Sequence, residues 1–233
     1  VLTKGKTIRE ALREAFQEML DMEARMLALY DAMASMEGSE LDEAMVEVGE
    51  IAEELEQGGF YVLDARIEEF ANGLGLGSIG LERDVADLSG GQRSKVLLTK
   101  LLLRNPTIMI LDEPTNYLDV EHIEWLKRWL REYENSFILV SHDISFLNDV
   151  INVVYHVENT VLTRYTGNYD QFRQMYEMRK SQETRAYERQ QQEVERLEDF
   201  IARNKARVAT RGMANSRQKR LDKMEVLEKP REK

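Results

Sequence analysis

The 233 residues contain no cysteine and only three prolines. Disulfides and thiolate metal sites are therefore excluded, and a reducing compartment suits the composition. So little proline leaves room for long uninterrupted helices. No run of about 18 apolar residues occurs, so no transmembrane helix is expected. The first residues also lack the basic, apolar and small-residue succession of a signal peptide. A surplus of positive charge is missing as well: 32 basic against 43 acidic side chains give a net charge of -11. That excludes a uniformly basic nucleic-acid coat, though not a local basic patch. With 42% hydrophobic and 32% charged residues, the chain has the makings of one or two domains with a sizeable core.

The average charge hides two opposed parts. Residues 179–233 hold 16 basic and 10 acidic side chains, a net of +6, which leaves -17 on residues 1–178. Within the basic part, residues 200–224 carry eight Lys or Arg and one Asp. Such a run is either a solvated helix face or a surface for a polyanion, whose neutralised phosphates release counterions.

Apolar residues recur every three or four positions from Ile8 through Leu12, Phe16, Leu20, Leu27 and Tyr30, which predicts a helix over 7–37. After Gly38 and Ser39 a second helix is expected from Leu41 to about Gln57, and a third around Val62–Phe70. Asn72–Gly80, with four glycines, reads as a loop, and Gln92–Leu103 is helical again up to Asn105-Pro106. The short runs 107–111 and 136–140 read as buried parallel strands with a helix at 121–134 between them. Residues 153–157 and 160–165 alternate like a hairpin. Strand, helix, strand, helix points to an α/β architecture. From residue 173 onward the chain reads as two antiparallel helices. Val194, Leu197, Ile201, Asn204 and Val208 form their seam, and Gly212 is the expected tip. The division expected is a helical part over 1–105, an α/β part over 106–172 and a helical hairpin over 173–233.

Chemistry concentrates in four short motifs. Leu88-Ser-Gly-Gly-Gln92 opens a helix, where free N–H groups and small residues favour an anion. Twenty residues on, a strand ends in Asp112-Glu113-Pro114. A carboxylate there suits Mg²⁺ held through waters, with the next one free to orient or deprotonate an attacking water. Thr115-Asn-Tyr-Leu-Asp119 follows directly, and the second strand ends in Ser141-His142-Asp143. Parallel strands bring both acids and His142 to one carboxyl edge, where ligands of open α/β sheets bind. His122 and His156 lack comparable neighbours and read as structural.

This ordered set resembles the ATP-binding cassette family: the signature LSGGQ, the strand ILDEP, the D-loop TNYLD and the switch SHD. The form TNYLD, the stretch Tyr165-Thr-Gly-Asn-Tyr-Asp-Gln-Phe172 and the charged helices after it are similar to the ABC-F subfamily, soluble twin-cassette ATPases that act on ribosomes. The resemblance implies a partial P-loop NTPase fold with a helical arm near 8–57 and a C-terminal interdomain linker. It also implies that ATP and Mg²⁺ are bound in the cytoplasm between two cassettes. Ser89, Gly90, Gly91 and Gln92 would touch a γ-phosphate held by the other cassette. Asp112 would support Mg²⁺, Glu113 would be the base, His142 would sense the γ-phosphate, and Asp119 would cross the interface. Arg203, Lys205, Arg207, Arg211, Arg217, Lys219 and Arg220 would face RNA or tRNA phosphates. A nucleotide-binding subunit of a membrane transporter, a DNA-associated cassette protein and a non-catalytic interaction module remain as alternatives.

The sequence holds no phosphate loop of the form GxxxxGK[ST]. Gly5-Lys6-Thr7 has no strand before it and an acidic amphipathic helix after it, and is rejected as one. The loop is expected upstream of Val1, the second cassette downstream of Lys233, and strand 107–111 is expected to have an exposed apolar flank. Residues 1–69 carry six basic and 18 acidic side chains, so a basic protein fits the arm better than RNA does.

Overall fold

A computed structural model describes residues 2–206 and 209–229. The chain divides into two compact units, 1–150 and 151–233. The strand hairpin near 153–165, read with the α/β part from sequence, thus groups with the C-terminal helices.

Thr7 starts α1 (Ile8–Arg13) through a capping box: its hydroxyl accepts the Glu10 N–H and the Glu10 carboxylate accepts its own. The helix expected over 7–37 is not continuous. A 3₁₀ turn at Glu14–Phe16 joins α1 to α2 (Gln17–Met33). The joint has two visible causes. Phe16 turns into the core at φ -112°, ψ 30°. Glu14 is drawn between Lys6, at 2.5 Å, and the buried Lys100 of α5 (Gly90–Leu103). A 3₁₀ turn keeps the apolar spacing almost unchanged, so periodicity alone cannot reveal it.

α2 folds back on α3 (Ser39–Gln57). Leu29, Ala44 and Val48 form a small core of their own, flanked by Met26, Met33, Met36 and Ile51. Arg25 adds a bidentate pair to Glu47 at 2.8 and 3.1 Å. The main core is a separate cluster. It gathers Ile8, Leu12, Ile67, Leu74, Leu76, Val96, Leu102, Met109, Leu126 and Phe146. α4 (Leu63–Gly73) packs there against α6 (Val120–Glu132), with Phe70 edge-on to Trp125. His122 is structural, its Nδ1 3.0 Å from the Gly73 carbonyl. The buried Lys127 is held by Glu124 and by Asp149 of α7 (Ile144–Val150), at 2.7 and 2.9 Å.

β1 (Ile108–Asp112) pairs in parallel with β2 (Ser136–Val140), Asp112 opposite Val140. Both strands were read as buried, with an exposed apolar flank expected beside 107–111. Met109 and Leu111 are buried, but Ile108 and Ile110 are 66% and 68% exposed, and Ile138 and Val140 are 57% and 53% exposed. One sheet face is therefore core and the other an apolar surface.

In the second unit, β3 (Val153–Glu158) and β4 (Val161–Thr166) form an antiparallel hairpin. Asn159 and Thr160, both at positive φ, make its two-residue turn, as the right-handed strand twist favours. Asn168 caps α8 (Tyr169–Asn204), 36 residues spanning about 54 Å. Its first turns pack Phe172 and Tyr176 on His156, and Glu158 accepts hydrogen bonds from the Tyr176 hydroxyl at 2.9 Å and Lys180 at 3.0 Å. α9 (Arg211–Asp222) returns antiparallel. Arg220 meets Glu193, Arg217 lies over Phe200, and the Thr210 hydroxyl donates to the Asn204 carbonyl. Gly212 sits in the first turn of α9 rather than at a tip. Of the expected seam, Leu197 and Ile201 are buried, while Val208 lies outside the described residues. No described helix is long and apolar enough to cross a membrane.

Candidate functional site

The first component is the start of α5. Ser89 sits in extended conformation as the N-cap, its hydroxyl accepting the Gln92 N–H at 3.3 Å. The Gln92 side-chain oxygen accepts the Ser89 N–H at 2.9 Å. This reciprocal cap uses up both side chains and leaves the Gly90 and Gly91 N–H groups at the open end of the helix. Nothing lies within 4 Å of a side chain imagined at Gly90, whereas one at Gly91 would strike Tyr117.

The second component is the carboxyl edge of the two parallel strands. Asp112 ends β1 exposed to solvent. Glu113 continues the ladder by donating its N–H to the Val140 carbonyl at 2.8 Å, then turns with φ 46°. A side-chain-bearing residue adopts that left-handed backbone at a cost of about 1–2 kcal/mol. The turn places Glu113 Oε2 3.4 Å from the Ser141 hydroxyl, and Oε1 3.6 Å from His142 Nε2. Oε1 is buried without a hydrogen-bond partner among the described residues, while the His142 ring is 98% exposed. An unpaired, desolvated carboxylate oxygen beside an exposed imidazole is an acceptor waiting for a proton-bearing ligand. Asp143 is engaged differently: its N–H donates to Ser141 Oγ at 3.1 Å, and its carboxylate caps α7 through Phe146 N–H at 3.0 Å.

Asp112, Glu113 and His142 thus meet at one edge, as expected. Ser141, which touches both Glu113 and Asp143, was not singled out by sequence. Its neighbourhood in the SHD motif was the only hint. Asp119 stands at the N-cap of α6 without making a capping bond, so its carboxylate faces solvent. Between α5 and the loop after β1 lies a cleft of about 310 Å³, bordered by Ser94, Lys95, Asp112, Glu113 and Tyr117. Among the described residues no three acidic or histidine side chains converge on one point. The donors present therefore suit a Mg²⁺ that brings its own phosphate and water ligands and needs one carboxylate from protein.

The third component belongs to the second unit. Lys205, Arg211 and Lys219 are exposed, while Arg203 pairs with Asp199 at 3.1 Å. Arg220 is tied to Glu193, and the Arg217 guanidinium stacks 3.4 Å from the Phe200 ring centroid. Arg207 lies outside the described residues. The α8–α9 pairing also brings in Arg189 and Arg196, which border a cleft of about 550 Å³ with Arg217 and Arg220. Sequence reading missed them because they precede the dense basic run. Their seven-residue spacing with Arg203 is the signal that places all three on one helix stripe.

Two family profiles, both described as "ABC transporter", match residues 3–116 and 155–233. The chain is 60% identical over its full length to "Uncharacterized ABC transporter ATP-binding protein YfmM" of Bacillus subtilis, of which it covers 45%. It is 37% identical to "Probable ATP-binding protein YheS" of Escherichia coli over 70% of this chain and 26% of that protein. Against "ABC transporter F family member 2" of Dictyostelium discoideum it is 34% identical, over 93% of this chain and 36% of that one. The chain therefore spans less than half the length of each of these relatives.

Proposed function

The chain belongs to the ABC transporter family of ATP-binding proteins, and from that premise we propose that it is part of an ABC-F ATPase. In this reading it hydrolyses ATP between two cassettes and acts on the ribosome. The observation that carries the hydrolytic part is Glu113, whose buried Oε1 has no hydrogen-bond partner among the described residues and lies 3.6 Å from His142. A water between that oxygen and a terminal phosphate gives up its proton to Glu113 as it attacks. His142, fully exposed at the same edge, donates to a phosphate oxygen, and Ser141 holds the other carboxylate oxygen in place. Asp112 is the residue that would hold Mg²⁺ through water, and the ion would supply charge neutralisation of the phosphates. The open amides of Gly90 and Gly91 serve the nucleotide bound by the second cassette, with Asp119 reaching across.

The ABC-F assignment draws on the relative named an F family member and on the basic helical hairpin that follows the cassette residues. Exposed Lys205, Arg211 and Lys219 with the arginine cleft form its polyanion surface, suited to ribosomal RNA or tRNA. Without a GxxxxGK[ST] loop, the 233 residues alone bind Mg-ATP weakly, and micromolar affinity by calorimetry would contradict that. The central test is co-sedimentation of the twin-cassette Glu113→Gln protein with ribosomes in ATP. A salt-sensitive trapped complex supports the proposal. Binding to membranes or duplex DNA instead would favour a transporter subunit or a DNA-associated cassette.

A further inference from the structure

Tyr117 touches the signature turn. A methyl group added at Gly91 would stand 2.9 Å from Tyr117 Cδ1 and 3.1 Å from Cγ, so the ring lies against bare glycine backbone. Burial does not put it there, because Tyr117 remains 66% exposed. Backbone preference does not either: its φ is 71°, a left-handed value that bulky side chains rarely adopt. Its backbone is set by the turn that the Leu118 N–H closes on the Thr115 carbonyl at 3.1 Å, and that turn lays the exposed ring against Gly91. Two residues further on is Asp119, whose carboxylate is uncommitted at the start of α6. On the other side of the contact is Gly90, with open space before it.

We infer that Tyr117 is a positioning residue that locks the signature turn to the D-loop of the same cassette. Its ring occupies the place of a Gly91 side chain, so that the Gly90–Gly91 amides and Asp119 shift together. The glycine is then needed for this aromatic neighbour as well as for close approach of a phosphate. In a twin-cassette enzyme the signature turn faces one nucleotide and the D-loop crosses the interface, so the lock couples a nucleotide to the interface within one cassette. This inference rests on the composite-site reading above.

Three measurements test it. Amide exchange at residues 90–93 should quicken in Tyr117→Ala while exchange in α9 stays unchanged. Gly91→Ala should lower the melting temperature of the otherwise unaltered protein, and lower it far less in a Tyr117→Ala background. In the twin-cassette ATPase, Tyr117→Ala should reduce kcat about tenfold with KM for ATP unaltered, as a displaced positioning group does, and Tyr117→Phe should retain activity. Unchanged exchange at 90–93 together with an undiminished Gly91→Ala penalty overturns the lock. Persistent hydrolysis by Glu113→Gln would instead sink the catalytic reading and leave the exchange and melting results standing.

Discussion

The molecule contains two helical hairpins built on opposite terms. In α2–α3 an apolar seam of Leu29, Ala44, Val48 and methionines holds the helices, with one Arg25–Glu47 pair on the rim. In α8–α9 the apolar seam shrinks to Leu197, Ile201 and Ala214. Polar rungs supply the rest: Gln190 Nε2 to the Glu225 carbonyl at 2.7 Å, the Leu227 N–H to Gln190 Oε1 at 2.7 Å, Glu193 with Arg220, and Phe200 with Arg217. The first sits in a segment of 18 acidic and six basic residues, the second in one of 16 basic and 10 acidic. Methionine and leucine let a hairpin be held together while its surface charge is spent on repelling polyanions. In the hairpin held by Arg217 and Arg220, other cations, Lys205, Arg211 and Lys219, are turned outward. The difference teaches which of the two can meet a phosphate backbone.

Charge substitution gives the sharpest contrast. Reversing Lys205, Arg211 and Lys219 to Glu should weaken RNA binding by about 100-fold near physiological salt and flatten the log–log salt slope by about 2–3 units. These three are chosen over Arg217 and Arg220 because they hold no partner among the described residues, so the hairpin survives their loss. Equivalent reversals of Glu40, Asp42 and Glu43 in α3 should not reduce binding. Equal losses from both hairpins would erase the distinction.

Seam truncation gives a smaller effect. Leu29→Ala should cost about 2–3 kcal/mol of local stability, seen as faster amide exchange across α2–α3 with the main core unaffected. Leu197→Ala should cost less, because neighbouring polar rungs remain. The reverse order would show that α8–α9 depends on its apolar seam after all.

The smallest effect concerns pH. At the root of α2, hydrogen bonds from Lys100 and then Lys6 hold the Glu14 carboxyl below its ordinary value. At the base of α8, Lys180 and then Tyr176 do the same for Glu158. A carboxyl depressed by folding contributes stability that is full above its unfolded value, about 4.3, and lost as pH falls through the folded one. Both roots should therefore loosen on acidification below about pH 4. Glu14→Gln should reduce the acid sensitivity at the root of α2, read as the slope of melting temperature against pH, while the Glu47 carboxyl, held low by its hydrogen bond from Arg25, keeps its own share.

Much of this was legible in the residues. The helices followed from periodicity, the parallel strand pair from its apolar runs, and the meeting of Asp112, Glu113 and His142 from strand direction. What escaped depended on distance in space or on turns that periodicity does not register. The 3₁₀ joint at Glu14–Phe16 preserves apolar spacing, so it looked like unbroken helix. The exposed flank at Ile108 and Ile110 was expected, but its extension to Ile138 and Val140 was not, because apolar residue type does not tell one sheet face from the other. Gly212 looked like a tip because glycine usually marks one, yet it lies inside the first turn of α9. Ser141 against Glu113 and Tyr117 against Gly91 join segments that composition cannot align.

One helix ties these observations to mutational tolerance. α5 carries the reciprocal cap at Ser89 and, eleven residues on, the Lys100 that grips Glu14 at the root of α2. Eleven residues make about three full turns, so both ends of this span address nearly the same side of the rod. A single inserted residue between them would swing Lys100 by about 100° and lengthen the span by about 1.5 Å. The helix acts as a ruler with a fixed graduation: its residue count between Ser89 and Lys100 sets which side each end addresses.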